Sequence, residues 1–325
     1  SSTSAGYFSG GVSGGTVLSR VEKTTYSTDT TAYTPGANLP IANYSHAGAS
    51  AKENALPETI PGPPIPPNTG YFAGGLGSPG TVSTMDKVDF STDTNNVVPS
   101  AALSSPRYGG AAIGNRTAGY FGGGGANPYF STMDKITYSS DTTGAVPGAA
   151  LSIPRGFHLG ATGNPTAGYF GGGNAGPSYS GVVTTVDKVT YATDTTADVP
   201  SAALSVVKAG LSASGNLTHG YFSGGPSGSD SLTLIEKITF SADFTELVPG
   251  LNLAAPRTYH GATGNDIAGY HGSGNPAGPQ ISMDKINYST DTSALIPSAA
   301  FTTGRRYIKG TSGRDNGIGS SPNII

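Results

Sequence analysis

Short runs in which apolar and polar residues alternate recur along the whole chain, and their period of two residues is that of β-strands. In the run Met-Asp-Lys-Ile-Thr-Tyr-Ser at residues 133–139, Asp134, Ile136 and Tyr138 share one face of a strand. Clusters of Gly, Asn, Asp, Ser and Pro separate one run from the next. No stretch has the period of a helix. The pattern therefore predicts an all-β protein built from strands of about five residues.

One unit is repeated along the chain, and it is clearest in the run Ala-Gly-Tyr-Phe-Gly-Gly-Gly at residues 118–124. The tyrosine of this unit recurs after 64, 49, 49, 52 and 49 residues. A nearly constant period of this length is the sequence signature of a repeat array. The repeated tyrosines are Tyr7, Tyr71, Tyr120, Tyr169, Tyr221 and Tyr270.

Each repeat divides into four strand-like pieces. In the third repeat they are residues 107–115, which end in a Gly-Asn turn, and residues 119–123, 133–139 and 145–151. Four-stranded units of about 40–50 residues, repeated around an axis, make a β-propeller. An Asp-Lys or Glu-Lys pair occurs six times in the third piece. We therefore predict a single domain over residues 1–325, a six-bladed β-propeller with four-stranded blades.

The two ends of the sequence complement each other. The chain opens with the second piece of a repeat, Gly-Tyr-Phe at residues 6–8, and closes with residues 307–313, which match the first piece at residues 260–264. We predict that this C-terminal strand completes the N-terminal blade. A ring closed in this way has no open strand edge between its ends.

The second repeat is longer because residues 52–68 are inserted between its first and second strands. The insertion is rich in proline and has polyproline rather than strand character. It could form an arm that docks on a partner or a solvated surface loop. We favour the surface loop, since insertions concentrate in such loops.

The order of the pieces resembles the kelch repeat: an arginine and a small strand, an aromatic strand that ends in Gly-Gly, a variable loop, a strand with Tyr and Asp, and then Leu and Pro-Arg. The resemblance covers nearly the whole chain and implies the kelch type of propeller. The sequence departs from it by lacking the tryptophan of the fourth strand. Apolar residues stand in that region, namely Val98, Val146, Val199, Val248 and Ile296. Repeats with Gly-Tyr-Phe-Gly-Gly and Asp-Lys-Ile-x-Tyr-Ser-x-Asp-Thr are similar to a family encoded by bacteriophages, notably marine phages.

The composition of the chain argues against several classes of partner and chemistry. The net charge is −3 and only 11% of the residues are charged, so the chain offers no basic surface to nucleic acid. No apolar run approaches the ~20 residues that span a bilayer, and we expect no membrane insertion. The sequence contains no cysteine, which rules out disulfides and thiolate chemistry.

The repeated charged residues are interpreted as structural. Adjacent residues of a strand point to opposite faces, so the lysine of one blade can approach an acid of the next and form a ring of ion pairs. The aspartates of the Ser-x-Asp-Thr runs are expected to stabilise turns, because they lack the spacing of a calcium loop. Kelch-like oxidases need a cysteine and copper, and the five histidines form no metal-ligand motif. We therefore predict no catalytic residue, no metal and no cofactor.

Candidate binding residues come from two sets of segments. The connections from a fourth strand to the next first strand carry Asn43, Arg107, Arg155, Lys208, Arg257 and Arg306, beside Tyr44, His46, Tyr108, Phe157, His158, Tyr259, His260 and Tyr307. In a kelch arrangement they share one face with the variable loops between second and third strands, which include residues 127–130, 174–179 and 271–280. The arginines could instead serve as staples between blades, which we favour. The predicted ligand-binding residues are Tyr129, Phe130, Asn127, Tyr179, Asn174, His271, Asn275, Arg107, Arg155 and Arg257.

Aromatic and amide side chains on a rigid ring predict a non-enzymatic recognition or adhesion module that binds a surface glycan or protein receptor through loops on one face. The expected location is a virion or an extracellular surface, with other virion proteins or a second copy of the chain as further partners. A first alternative is a structural component of a larger assembly, such as a phage tail, a tail fibre or a capsid decoration. A second alternative is a glycan-active enzyme, which would need a pair of uniquely placed carboxylates in a pocket.

Overall fold

A computed structural model of the chain describes residues 5–50, 69–77, 80–125, 128–176, 181–227, 230–274 and 280–312. The strands in these ranges form six antiparallel sheets of four strands each, arranged as the blades of a propeller. The prediction of an all-β, six-bladed β-propeller is confirmed, and the architecture is consistent with a kelch-like propeller. No helix in the described part of the chain is long and apolar enough to cross a membrane.

We number the blades in the order of the repeated tyrosines and the strands of each blade from the axis outward. Blade 1 consists of Lys309–Ser312, Ala5–Ser9, Val21–Thr25 and Thr30–Tyr33; blade 2 of Ala47–Ser50, Thr69–Ala73, Thr84–Asp89 and Thr94–Ala102; blade 3 of Ala111–Gly114, Ala118–Gly122, Met133–Thr137 and Thr142–Ala145. Blade 4 consists of Gly160–Gly163, Ala167–Gly171, Val186–Thr190 and Thr195–Asp198; blade 5 of Ser212–Gly215, His219–Ser223, Leu234–Thr239 and Phe244–Asn252; blade 6 of Gly261–Gly264, Ala268–Gly272, Met283–Asn287 and Thr292–Leu295.

The C-terminal strand closes the ring, as the sequence predicts. Lys309–Ser312 pairs antiparallel with Ala5–Ser9, with Phe8 opposite Gly310 and Ser9 opposite Lys309. The first strands contact one another all the way around, and blade 1 contacts both blade 2 and blade 6. The ring is therefore continuous through the junction of the two ends.

The interior lies between the blades. Adjacent side chains of a second strand point to opposite faces, so Tyr120 packs toward blade 4 and Phe121 packs toward blade 2. The glycine before the repeated tyrosine is required where the preceding blade and a ring of its own blade approach closely, as at Gly168 of blade 4. A Cβ atom at Gly168 would lie 2.5 Å from Cγ2 of Ile113 and 2.6 Å from the hydroxyl of Tyr191.

The outer edges are of two kinds. In blades 1, 3, 4 and 6 a four-residue fourth strand runs into a 3-10 turn that starts at a proline, as at Pro147–Ala149. Blades 2 and 5, which lie opposite each other in the ring, instead have nine-residue fourth strands with a register shift. The proline-rich residues 52–68 lie outside the described residues.

Candidate functional site

The two charges of the Asp-Lys motif belong to two different networks. Lys135 in the third strand of blade 3 reaches Asp194 in blade 4, with its Nζ 2.9 and 2.8 Å from the two carboxylate oxygens. The hydroxyl of Tyr120 donates to the same carboxylate, and its ring stacks on Tyr191 of blade 4. The predicted ion pair between blades is confirmed, but its acid comes from the Ser-x-Asp-Thr turn. The pairs are Lys23–Asp93, Lys87–Asp141, Lys135–Asp194, Lys188–Asp243, Lys237–Asp291 and Lys285–Asp29.

The acid of the Asp-Lys motif pairs with the cation at the start of its own repeat. Asp134 is fully buried and binds Arg107, which also donates to the carbonyl oxygen of Phe121 over 3.1 Å. The candidate residues Arg107, Arg155 and Arg257 are at most 3% exposed, so these arginines serve as structural staples and are not part of a surface. The pairs are Arg107–Asp134, Arg155–Asp187, Lys208–Glu236, Arg257–Asp284 and Arg305–Glu22. In the last repeat this cation is therefore Arg305, one residue before the arginine expected from the sequence.

Blade 2 departs from this pattern because Asn43 stands where the other repeats have a cation. Asn43 donates its side-chain amide to the carbonyl oxygen of Gly74 over 2.6 Å. Asp86, the equivalent of Asp134, is 8% exposed and has no salt bridge within the described residues. Burial raises the pKa of Asp86 to about 7. Blade 2 thus carries a buried carboxyl group that lacks the cation of its counterparts.

The two sets of candidate segments do share one face, which we call the loop face. In blade 2 the connection Asn43–Tyr44 forms a two-stranded ladder with Leu76–Gly77 of the loop between second and third strands. In blade 4 the backbones of Gly156 and Asn174 exchange two hydrogen bonds of 3.0 and 2.9 Å. The kelch-like placement expected from the sequence is therefore observed.

Some predicted loop residues lie together on this face. Tyr129 and Phe130 are half-buried in the blade 3 loop, and the Tyr129 ring lies over Gly156 of the next connection. Asn174 of blade 4 is buried, and its amide donates to the Tyr129 hydroxyl over 3.4 Å. The structure thus joins loops of blades 3 and 4. The candidates Asn127, Tyr179 and Asn275 lie outside the described residues.

His271 does not lie on a loop, contrary to the expectation from the sequence. It is fully buried in the second strand of blade 6, at the position that Phe121 occupies in blade 3. Its ring nitrogens lie 2.8 Å from Oγ of Ser214 and 2.7 Å from Oγ of Ser223. Burial lowers the pKa of His271 to about 3. A neutral histidine therefore replaces the core phenylalanine here and satisfies its nitrogens with buried serines.

At the centre of the loop face, the connections form a closed ring of six backbone hydrogen bonds, the axial ring. Each blade contributes one link, in which an N–H donates to a carbonyl oxygen of the preceding blade over 2.7–2.9 Å. All of its residues have left-handed backbone conformations, with φ from 54° to 70°. Such conformations are uncommon for bulky residues and cluster at sites that bind ligands. The axial ring consists of Ser45, Gly109, Phe157 with His158, Gly210, Tyr259 and Tyr307.

His158 crosses the axis at this end of the propeller. Blade 4 supplies two residues to the axial ring, and the extra residue lets the His158 imidazole reach the opposite blades. Its Nε2 lies 3.0 Å from Oγ of Ser45, and its ring lies 5.2 and 5.3 Å from the rings of Tyr259 and Tyr307. Burial and the charge of Lys309 lower the pKa of His158 well below its usual range. A neutral imidazole thus packs across the axis.

Half-buried aromatic side chains surround this centre, and we call them the aromatic platform. Tyr307 lies 5.6 Å from Tyr44 between ring centres, and the guanidinium of Arg306 lies 5.1 Å from the Tyr307 ring. Burial and the neighbouring Tyr44 raise the pKa of Tyr108. The platform presents ring faces and phenol groups together with one guanidinium. Its members are Tyr44, Tyr108, Phe157 and Tyr307.

The sequence does not reveal the platform as a unit. Its aromatic residues are visible in the sequence beside the cations. A Tyr or Phe in a sequence, however, does not indicate a left-handed backbone conformation. The useful signal is the glycine at the equivalent position, Gly109 in blade 3 and Gly210 in blade 5. These glycines show that the position requires φ > 0.

In the described part of the chain, no three His, Cys, Asp or Glu side chains are grouped so that they could hold a metal ion. The comparison with protein-family models finds no match to the sequence, and the comparison with curated proteins finds none either.

Proposed function

We propose that the protein is a non-enzymatic recognition module that binds a surface glycan or a protein receptor through its loop face. The observation that carries this proposal is the aromatic platform at the centre of that face. Rings that are partly open to solvent and grouped on one surface are typical of sites that a partner covers. A rigid scaffold that presents such side chains on loops is the usual construction of a binding protein.

The chemistry of the platform suits a carbohydrate. Aromatic faces pack against the apolar faces of sugar rings, and the phenol groups of Tyr44, Tyr108 and Tyr307 can donate to or accept from sugar hydroxyls. The Arg306 guanidinium adds donors beside the Tyr307 ring. Tyr129 and Phe130 extend this surface outward along blade 3.

The rigidity of the axial ring favours binding. The hydrogen bonds that link the six connections order the backbone before any ligand arrives. A preorganised surface loses little conformational entropy on binding, so modest contacts suffice for specificity.

The non-enzymatic part of the proposal rests on repetition. In five of the six blades the buried carboxylates recur with equivalent partners, such as Arg155 with Asp187 and Arg257 with Asp284. Groups needed in every blade for packing give no reason to assign one of them to catalysis. Hydrolysis of a bound glycan would reject this part of the proposal.

We further propose that the protein works on a virion or cell surface, where many copies act together. The likeness of its repeats to those of marine phages supports this setting. Sites that bind weakly as single copies then gain overall affinity through multivalent display.

A structural role in a larger assembly is the second candidate, and one observation favours it. The nine-residue fourth strand of blade 5 is an outer edge, and it exposes half of the Phe244 and Leu247 side chains. Unpaired strand edges with apolar residues are templates for association. Oligomers that form with rising concentration and disappear in Phe244→Lys would favour this role.

The test of the main proposal compares two faces of the propeller. The double variant Tyr44→Ala with Tyr108→Ala alters the platform, and the control Leu217→Ala with Ile267→Ala alters exposed residues of first-to-second turns. We expect the platform variant to bind a glycan panel or host-type cells at least ~10-fold more weakly, since each aromatic contact contributes about 1 kcal/mol. Equal binding by the two variants, both folded, would overturn the platform as the site.

A further inference from the structure

A cavity lies on the propeller axis next to the axial ring. Its lining residues come from the first strands of all six blades and from Leu159, which leads into the first strand of blade 4. It leaves about 50 Å³ for the centres of water-sized molecules, several times the ~10–15 Å³ that one water needs. The lining residues are Gly48, Ala111, Ala112, Leu159, Gly160, Ala161, Ser212, Ala213, Ala262, Lys309 and Gly310.

Lys309 is the one charged residue among those lining residues. It opens the first strand of blade 1 and is 9% exposed. No hydrogen bond or ion pair of its ammonium group occurs within the described residues. The other buried cations of this region behave differently, because Lys208 pairs with Glu236 and Arg305 pairs with Glu22. Lys309 is therefore a buried cation whose counter-charge is missing from the described chain.

The groups around Lys309 do not neutralise it. The imidazoles of His46, His158 and His260 are fully buried, and burial together with the charge of Lys309 lowers the pKa of each far below neutrality. These rings are neutral and add no charge. Burial lowers the pKa of Lys309 itself to about 8, so the ammonium form prevails at pH 7. Within the described residues, the positive charge of the cavity is thus unbalanced.

We propose that this axial cavity binds a small anion, of the size of chloride or a short carboxylate, on the ammonium group of Lys309. Burying an unpaired charge is unfavourable, and a partner of opposite sign removes most of that cost. The Gly and Ala residues of the lining leave the space for such an ion. The site is distinct from the aromatic platform, because its lining residues belong to the first strands and the residue that leads into one of them, whereas the platform side chains belong to the connections.

The test measures thermal unfolding while sodium chloride replaces sodium gluconate at constant ionic strength. A ligand that binds only the folded state raises the melting temperature in proportion to the logarithm of its concentration at saturation. We expect a rise of roughly 2–5 °C for the natural protein and no rise for Lys309→Met. The control Arg116→Met makes the same change of net charge outside the cavity and should respond as the natural protein does.

A bromide soak of crystals locates the ion directly. The proposal predicts an anomalous peak within hydrogen-bonding distance of Lys309 Nζ that is absent from Lys309→Met crystals. Equal chloride responses of the natural protein and Lys309→Met, or no bromide peak in the cavity, would overturn the proposal. Neither result bears on binding at the loop face.

Discussion

Ser45 donates its backbone N–H to the carbonyl oxygen of Tyr307 over 2.9 Å, and this bond joins blade 2 to the C-terminal strand of blade 1. The same link is repeated between all neighbouring blades, so the centre of the loop face is one continuous hydrogen-bonded ring. The backbone of the aromatic platform is ordered by this ring, because its residues belong to the ring or lie next to ring residues in the sequence. Weakening the ring should therefore affect both stability and the proposed binding surface.

The variant Gly210→Ala tests whether the axial ring requires a left-handed backbone at this position. Its φ is 61°, and an added Cβ would lie 3.0 Å from Cε1 of Tyr259. We expect Gly210→Ala to lower the free energy of unfolding by about 1–3 kcal/mol, since alanine at φ > 0 is strained. Gly144 has no atom within 4 Å of an added Cβ, and Gly144→Ala should change stability little. Urea unfolding measures both, and similar losses would contradict this explanation.

The two ion-pair networks should contribute differently to the free energy of unfolding. Lys135 and Asp194 are 28% and 34% exposed, and Asp194 keeps the Tyr120 hydroxyl when the lysine is removed. We expect Lys135→Met to lower the free energy of unfolding by about 1 kcal/mol. Asp134→Asn leaves the buried Arg107 charge unpaired and should cost about 3–5 kcal/mol. Chemical denaturation measures the free energy of unfolding of both variants. A larger loss of this free energy for Lys135→Met than for Asp134→Asn would refute the ranking.

Asp86 should make the protein less stable at high pH. Burial raises the pKa of this carboxyl from its ordinary 3.8 to about 7 in the folded state. The stabilisation from the bound proton is complete below about pH 3.8 and is lost as the pH rises through about 7. Asp86→Asn should thus match the stability of the natural protein below about pH 3.8, exceed it modestly at pH 5 and exceed it by up to about 4 kcal/mol at pH 8–9.

The control for Asp86→Asn is Asp134→Asn, which removes a carboxylate that has its arginine. This variant should be destabilised at both pH values, because Arg107 loses its partner. Unfolding curves at pH 5 and pH 8.5 provide the comparison. An Asp86→Asn variant that is less stable than the natural protein at pH 8.5 would contradict the assignment of a raised pKa.

Loss of the closing strand should open the propeller. A truncation before Lys309 removes the strand that pairs with Ala5–Ser9 and exposes that edge. We expect loss of cooperative unfolding or a melting temperature lower by more than ~10 °C, since a full strand ladder and its packing are lost. A truncation that removes only residues 313–325 keeps the described strand and is the control. Equal melting temperatures would reject the shared-blade closure.

The repeats explain why so much of the fold could be predicted. Tyr120 recurs because each blade must stack a ring on its neighbour, and Gly168 recurs in type because the preceding blade and a ring of its own blade leave no room for a Cβ. Such requirements act on every copy, so they appear in the sequence as a period. The blade number follows from that period, and the shared face of the loops follows from the resemblance to the kelch repeat.

The candidate site was harder to predict because it depends on differences between copies. His271 was assigned to a variable loop, but it occupies a core position that the other blades give to phenylalanine. Arg107 was kept as a ligand candidate although a staple was favoured, and the sequence did not show that its carboxylate partner is Asp134, 27 residues further along the chain. Distances of this kind are set by packing between strands, which a single sequence does not report.

Chemical blocking of one face tests the central claim most directly, because the natural chain has no cysteine. Ile41→Cys places one thiol on the loop face and Ile267→Cys places one on a first-to-second turn; the natural side chains are 44% and 68% exposed. Each variant is coupled to a maleimide polyethylene glycol, and its binding to a glycan panel and host-type cells is compared with that of the uncoupled variant. The proposed function predicts that coupling at residue 41 abolishes binding and coupling at residue 267 leaves it unchanged. Binding that survives coupling at residue 41, or is lost only on coupling at residue 267, would contradict it.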